Sequence, residues 1–407
     1  SMAVHEWESV AHAMKEAADL VREEVSVLCD CLADAGVLRR QTLSAALHRR
    51  RFERICAAHP LSSEAALQDV FALPDLASKT LSCLDLREGN PVQAASQSFA
   101  DSGNRITRTR IVHFYVAGGY NGRESLRSVA RFDPRRAEWE TLPAMSEARR
   151  NLVVVALSGH LYACGGLEAG VQGRQYLNSV ERFDPLLGVW VMVPPMLSRR
   201  AEAVGAAMNG RLYVCGGFDG RSYLNSVERF SPQDADSGWE LVQPAHEQCA
   251  RAVGAVVAGH FCVCGGFNGP EVLSSGEYFD ENLGWHWMPD MSQARRGAGG
   301  AVIGGCLFVC GGFDGQDDLS SAESFNPETM IWNVLPDMLQ CRGEAACAAV
   351  AGRLYVCGGL QSGTLQASME FFDPLLASGT GGWQSSRAME EQRAFFRGAS
   401  LVQYVPT

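Results

Sequence analysis

The stretch "LYVCGGFDGRSYLNSVERF", Leu212–Phe230, joins an apolar run to two glycines, a polar loop and a second run ending in an aromatic residue. A glycine loop that cradles phosphate needs a helix behind it, with its N-terminus facing the anion. The segment after these glycines alternates like a strand, and neither a GKS or GKT nor a ribose-binding acid stands nearby. The glycines therefore read as a backbone device: they permit positive φ or close packing against a bulky neighbour. A tryptophan that recurs with them is the expected neighbour.

The doublet recurs at Gly118-Gly119, Gly165-Gly166, Gly216-Gly217, Gly265-Gly266, Gly311-Gly312 and Gly358-Gly359, at spacings of 47, 51, 49, 46 and 47 residues. Each copy follows an apolar run such as "LYAC" or "LFVC". Each precedes a short strand such as "VARFDP" or "MEFFDP", and then a tryptophan: Trp139, Trp190, Trp239, Trp285, Trp332 and Trp383. A methionine and, four residues on, an arginine complete five units (Met145 and Arg149, Met196 and Arg200, Met291 and Arg295, Met338 and Arg342, Met389 and Arg393). The third unit has Ala245 and Cys249 instead. Each unit reads as four short strands. A sheet that small cannot cover both its faces, whereas radial stacking about an axis does.

In this order of glycine pair, aromatic, tryptophan and arginine, residues 105–407 resemble the kelch-repeat β-propellers. The resemblance implies an all-β six-bladed propeller. The first glycine pair lacks a preceding inner strand, and the missing copy stands at the other end. "RAFFRGASLVQY", Arg393–Tyr404, places Gly398 where Gly205 and Gly300 stand. The C-terminal strand is thus expected to close the first blade and remove the exposed edges.

Composition narrows the function. Of 407 residues, 46% are hydrophobic and 20% charged, as in folded proteins, and a net charge of −11 disfavours phosphate-neutralising nucleic-acid binding. No apolar run reaches the roughly 18 residues of a membrane span, and no charged-then-apolar leader opens the sequence. The opening Ser1-Met2 reads as an expression remnant. Most of the 14 cysteines sit in apolar runs, as Cys215, Cys264, Cys310 and Cys357 do, and read as reduced packing residues of a cytoplasmic protein, with a nuclear setting left open. Cys29 and Cys31 have the wrong spacing for a zinc knuckle, and no metal or cofactor is expected. Catalysis is not expected either. The nine histidines are scattered, only His160 and His260 recurring, in a short turn. No Asp-box, Ser-His-Asp order or carboxylate pair stands out.

In a four-strand blade the loop after the glycine pair and the crossover to the next blade share one face. Kelch propellers commonly bind peptide segments there. The post-glycine loops offer Tyr120, Arg123, Arg174, Phe218, Asp219, Arg221, Phe267, Asn268, Phe313 and Asp314. The crossovers offer Arg150, Asn151, Arg199, Arg200, Arg251, Arg296, Arg342, Phe396 and Arg397. So many arginines around one opening suit capture of carboxylates or phosphates. The expected partner is an acidic or phosphorylated protein segment. The competing reading pairs the repeated arginine with a neighbouring Asp or Glu.

Residues 1–90 read as an α-helical module. Trp7, Met14, Val21 and Leu28, with Ala11, Ala18, Val25 and Leu32, form a heptad-like seam over 6–35. It reads as a homodimerising coiled coil or as a helix packed in its own small domain. "VFALPDLASKTLSCLDLREG", Val70–Gly89, resembles an F-box, the adaptor-binding element of certain ubiquitin ligases, or a BACK-like segment. Residues 91–104 are the linker. Together these imply a protein-interaction module, a substrate-recognition adaptor of a cullin-type ubiquitin ligase. An actin-associated cytoskeletal scaffold is the alternative reading, and a propeller enzyme the third.

Overall fold

The computed structural model describes residues 108–170, 173–375 and 382–406. The 1–90 module and the 91–104 linker lie outside them. The described residues form six four-stranded antiparallel blades. Blades 2 to 6 are sequential, with first strands Val153–Leu157, Val204–Met208, Val253–Val257, Gly299–Ile303 and Ala346–Val350. Blade 1 is composite: Arg397–Pro406 pairs with Arg108–Ala117, followed by Val129–Asp133 and Glu138–Leu142. Gly398 faces Val116, as Gly205 faces Val214 and Gly300 faces Val309, so the C-terminal strand closes the ring in the expected register.

The six first strands pack against one another around the axis. Their small residues follow from that convergence. A Cβ on Gly254, for example, would overlap the Val204 side chain of the preceding blade. Second strands are buried almost throughout, as in Leu212–Cys215. Each core cluster joins residues of two adjacent blades, so a blade has no core of its own.

The glycine doublet has a different neighbour from the expected one. The first glycine has φ between +60° and +66° and the second between +91° and +105° in all six units. A Cβ on the first would overlap the backbone carbonyl of the following crossover, that of Arg149 at Gly118 or of Cys249 at Gly216. That carbonyl accepts the N–H of the second glycine at 2.7–2.9 Å in every unit. The tryptophans instead lie on the third-strand phenylalanine, 5.2 Å between rings for Phe230 and Trp239. Each indole N–H donates to a carbonyl of the preceding blade, as Trp239 does to Pro194 at 2.8 Å and Trp139 to Arg387 at 3.1 Å.

The crossover arginine completes the joint. The backbone of Arg200 is hydrogen-bonded in blade 2, N–H to Leu177 and carbonyl from Gly166. Its guanidinium reaches into blade 3, where it donates to the Gly216 carbonyl, to the Ser226 carbonyl and hydroxyl, and to the Glu228 carboxylate, all at 2.8–3.1 Å. Arg149, Arg295 and Arg342 repeat the pattern on Glu181, Glu323 and Glu370. Both partners of each pair are almost fully buried.

His160 and His260 open second strands rather than sitting in the turn. Their Nε2 atoms lie 3.6 and 3.0 Å from Asp184 and Asp280. Of the ten described cysteines, eight are buried packing residues, and Cys306 and Cys341 are partly exposed. Burial pushes the thiols of Cys164 and Cys357 up to about 12, so both stay protonated.

Deleting residues after Arg393 should remove the single cooperative melting transition, since blade 1 loses its first strand. Differential scanning calorimetry checks this, and an unchanged transition would refute closure. Arg200→Ala, which strands the buried Glu228 carboxylate, should cost about 3–5 kcal/mol in urea unfolding.

Candidate functional site

Crossovers and post-glycine loops do share one face. The residue after each crossover arginine bridges to the residue after the glycine pair, as in Arg150 with Leu167, Ala201 with Phe218 and Arg296 with Phe313. The loops hold their own shape through Asx turns. Asp219 Oδ1 accepts the N–H groups of Arg221 and Ser222 at 2.7 and 2.8 Å, and Asp314 does the same with Gln316 and Asp317. Asn121 and Asn268 take this role in the loops of blades 1 and 4. Asp219, Asn268 and Asp314 are therefore loop braces before they are partner contacts. Those bonded N–H groups hold both aspartate pKa values below the ordinary 3.8.

Between the loops runs an aromatic ladder. Tyr176 of blade 2 meets Phe218 at 5.5 Å, Phe218 meets Tyr223 at 4.9 Å, and Tyr223 meets Phe267 of blade 4 at 5.5 Å. Arg296 continues it, its guanidinium 5.1 Å from the Phe267 ring and 4.9 Å from the Phe313 ring. An open cleft of about 460 Å³ lies here, walled also by Glu271, Val272 and Asp314. On the other side of the face, Arg150 lies over the Tyr120 ring at 5.0 Å.

At the mouth of the central channel, six residues close a ring, each two positions past a crossover arginine or, for Arg251, past Cys249. Their N–H groups donate blade to blade: Asn151 to Phe395, Glu202 to Asn151, Arg251 to Glu202, Gly297 to Arg251, Glu344 to Gly297 and Phe395 to Glu344, at 2.6–3.1 Å. All six have φ between +54° and +62°, a conformation that only glycine takes without cost. Arg251 then clasps the opening, with Nη2 2.6 Å from Glu202 and Nη1 3.1 Å from Glu344. Glu344 reaches it across Gly297, where any Cβ would strike its carboxylate. Burial opposes the Arg251 charge, but Glu344 and Glu202 outweigh it and raise its pKa.

Several expected contacts are thus not on the surface. Arg200 and Arg342 are buried in inter-blade clasps, and Phe396 is a core residue. Asn151 is buried and donates to Glu202. Arg251 is neutralised by its two glutamates, and Arg397 sits half-buried on the axis-lining strand. Tyr120, Arg123, Arg150, Arg174, Arg199, Phe218, Arg221, Phe267, Arg296 and Phe313 remain at least partly exposed, and ring contacts tie Arg150 to Tyr120 and Arg296 to Phe267 and Phe313. Among the described residues, no carboxylate lies within ion-pair distance of Arg150, Arg174, Arg199 or Arg221. Burial and the nearby Arg174 both weigh against the charge of Arg150. Sequence reasoning missed Tyr176, Tyr223, Glu202 and Glu344. The two tyrosines carry a signal, since each stands immediately before "LNSVERF". The mouth residues share only an offset.

The propeller is closed, and its loop face carries arginines and aromatics. The sequence model of the Kelch motif matches residues 113–146, 148–197, 199–235 and 294–339, so the propeller carries kelch repeats. It is 38% identical over 106 residues to human Kelch-like protein 33, covering 25% of this chain and 19% of that protein. To human Kelch repeat and BTB domain-containing protein 13 it is 29% identical over 225 residues, covering 48% of this chain and 46% of the relative. The chain therefore spans less than half the length of either relative. A solved structure titled "Structure of YjhT" superimposes with a TM-score of 0.57 at 15% identity, over 67% of this chain and 97% of that one, a likeness of fold.

The Asp219 carboxylate predicts a pH dependence. Its folded pKa lies below the ordinary 3.8, so its bracing is complete above that pH and is lost as pH falls through the folded value. Asp219→Asn keeps the brace, as Asn121 and Asn268 do, and should abolish the acid-induced shift of the Ser222 amide in an NMR titration.

Proposed function

We propose that the propeller is the partner-recognition module of a cullin-type ubiquitin ligase adaptor, holding an acidic or phosphorylated protein segment across its loop face. One observation carries the reading: among the described residues Arg150, Arg174, Arg199 and Arg221 have no carboxylate within ion-pair distance, and Arg150 stands near Arg174 and Tyr176, at the start of the Tyr176–Phe218–Tyr223 ladder. Guanidinium groups left uncompensated on a braced surface favour carboxylate or phosphate, and the rings supply apolar contact without further ordering. Kinship to Kelch-like proteins supports protein binding as the activity, and a non-enzymatic role with it. The 1–90 module would contact the ligase, and the protonated buried thiols suit a reducing, cytoplasmic or nuclear compartment.

The double variant Arg150→Glu and Arg221→Glu should lose the partner in affinity pulldown while keeping the wild-type melting temperature. Phosphatase treatment of the lysate separates a phosphorylated segment from an acidic one. Cullin subunits in the wild-type pulldown support the ligase reading. Actin in their place supports the scaffold alternative, and retention of every partner by the double variant would refute this face.

A further inference from the structure

The joint between blades 3 and 4 carries the acceptor set of the clasp without the arginine. Cys249 holds the backbone half, its N–H on Leu224 and its carbonyl on Gly217. Its Sγ stays beside Cys215, 3.9 Å away. On the blade 4 side, Gly265, Ser275 and Glu277 occupy the positions of Gly216, Ser226 and Glu228, and Glu277 pairs with Val263 as Glu228 pairs with Val214. Four sister joints present these carbonyl, hydroxyl and carboxylate oxygens to a guanidinium at 2.7–3.2 Å. Here they wall a small cavity with Cys249, Glu247 and Trp287.

The charge is unbalanced as well. Glu277 is buried like its counterparts, yet its neighbour is His246, whose N–H and Nδ1 meet Oε2 at 3.0 and 2.9 Å. Oε1, the oxygen that takes the arginine elsewhere, receives only the Glu247 N–H at 3.3 Å. Glu247 adds a second carboxylate, held by the Ser275 hydroxyl at 2.7 Å. Trp287, 52% exposed and stacked on His246 at 5.1 Å, stands beside it with an indole face suited to a planar cation.

We infer that this joint is a guanidinium-binding socket, built to the same acceptor pattern as four occupied ones, whose cavity of about 10 Å³ widens to admit a guanidinium from outside the chain when the exposed Trp287 and His246 side chains turn aside. The source is either the arginine side chain of a protein partner or a free guanidino compound. The inference is independent of the acidic segment proposed for the loop face, because it uses none of those arginines.

The test measures thermal midpoint and calorimetric binding of the full chain with ethylguanidinium, with tetramethylammonium as a cation lacking N–H donors, and with the capped tripeptide Gly-Arg-Gly. Ethylguanidinium should raise the midpoint and tetramethylammonium should not. Cys249→Arg, which supplies the socket from within, should raise the midpoint unaided and abolish the response. Glu277→Gln should weaken binding about tenfold, as loss of a charge-assisted contact does. Cys249→Ala should keep binding, which preserves the test if the arginine variant fails to fold. Binding of the tripeptide as well points to a partner arginine, and binding of ethylguanidinium alone to a free compound. Equal responses to the two cations, or an undiminished response in Cys249→Arg or Glu277→Gln, would overturn the inference.

Discussion

The buried arginine–glutamate clasp is the interaction on which the rest of the propeller depends. Each crossover arginine has its backbone in one blade and its guanidinium in the next. Blade spacing and loop position are therefore set by one side chain. A buried ion pair is weak evidence of net stability, since desolvation offsets its Coulomb gain. Its use here is geometric: planar guanidinium and fixed carbonyls allow a single register. The glycine doublet follows from the same demand, because only residues without a Cβ let the crossover carbonyl sit against the loop.

Three concentric closures result. Indole-to-carbonyl bonds join the outer parts of the blades, guanidinium clasps join their loop ends, and the backbone ring joins the channel mouth. The mouth ring holds five residues other than glycine at positive φ, at about 1–3 kcal/mol each. That strain persists because the two outer closures fix the crossovers first. With the mouth locked by Glu202, Arg251 and Glu344, the arginines left for recognition are those on the loops around it.

The repeat, the blade count and the closing strand were legible in the sequence because they rest on residues required in every unit. Gly398 was enough to register a strand whose partner lies some 280 residues away. Arg200 and Arg342 misled because a repeated arginine beside a binding face looks the same whether buried or exposed. The missing signal was its partner. Arg200 and Glu228, Arg295 and Glu323, and Arg342 and Glu370 are each 28 residues apart, and the glutamate stands second in its short strand, after an apolar residue. The mouth ring had no such signal. Asn151, Glu202, Arg251, Gly297, Glu344 and Phe395 share a backbone conformation and no chemistry, so only the fold reveals their equivalence.

The two lapses in the clasp pattern are unlike, and their difference is informative. At the closing joint the glutamate is missing: Ala130 stands in its place, and Arg393 turns to Glu391 at 2.9 Å. That joint is secured instead by ten paired residues between Arg108–Ala117 and Arg397–Pro406, so a weaker clasp is tolerated there. The joint between blades 3 and 4 lacks the arginine and gains no such strand. It keeps a buried glutamate, the costlier half to leave without a cation, with the His246 ring as its side-chain partner. A joint under selection for packing alone would lose both partners to apolar residues at little cost. Retention of the acceptors without their donor makes this joint chemically distinct from the other five.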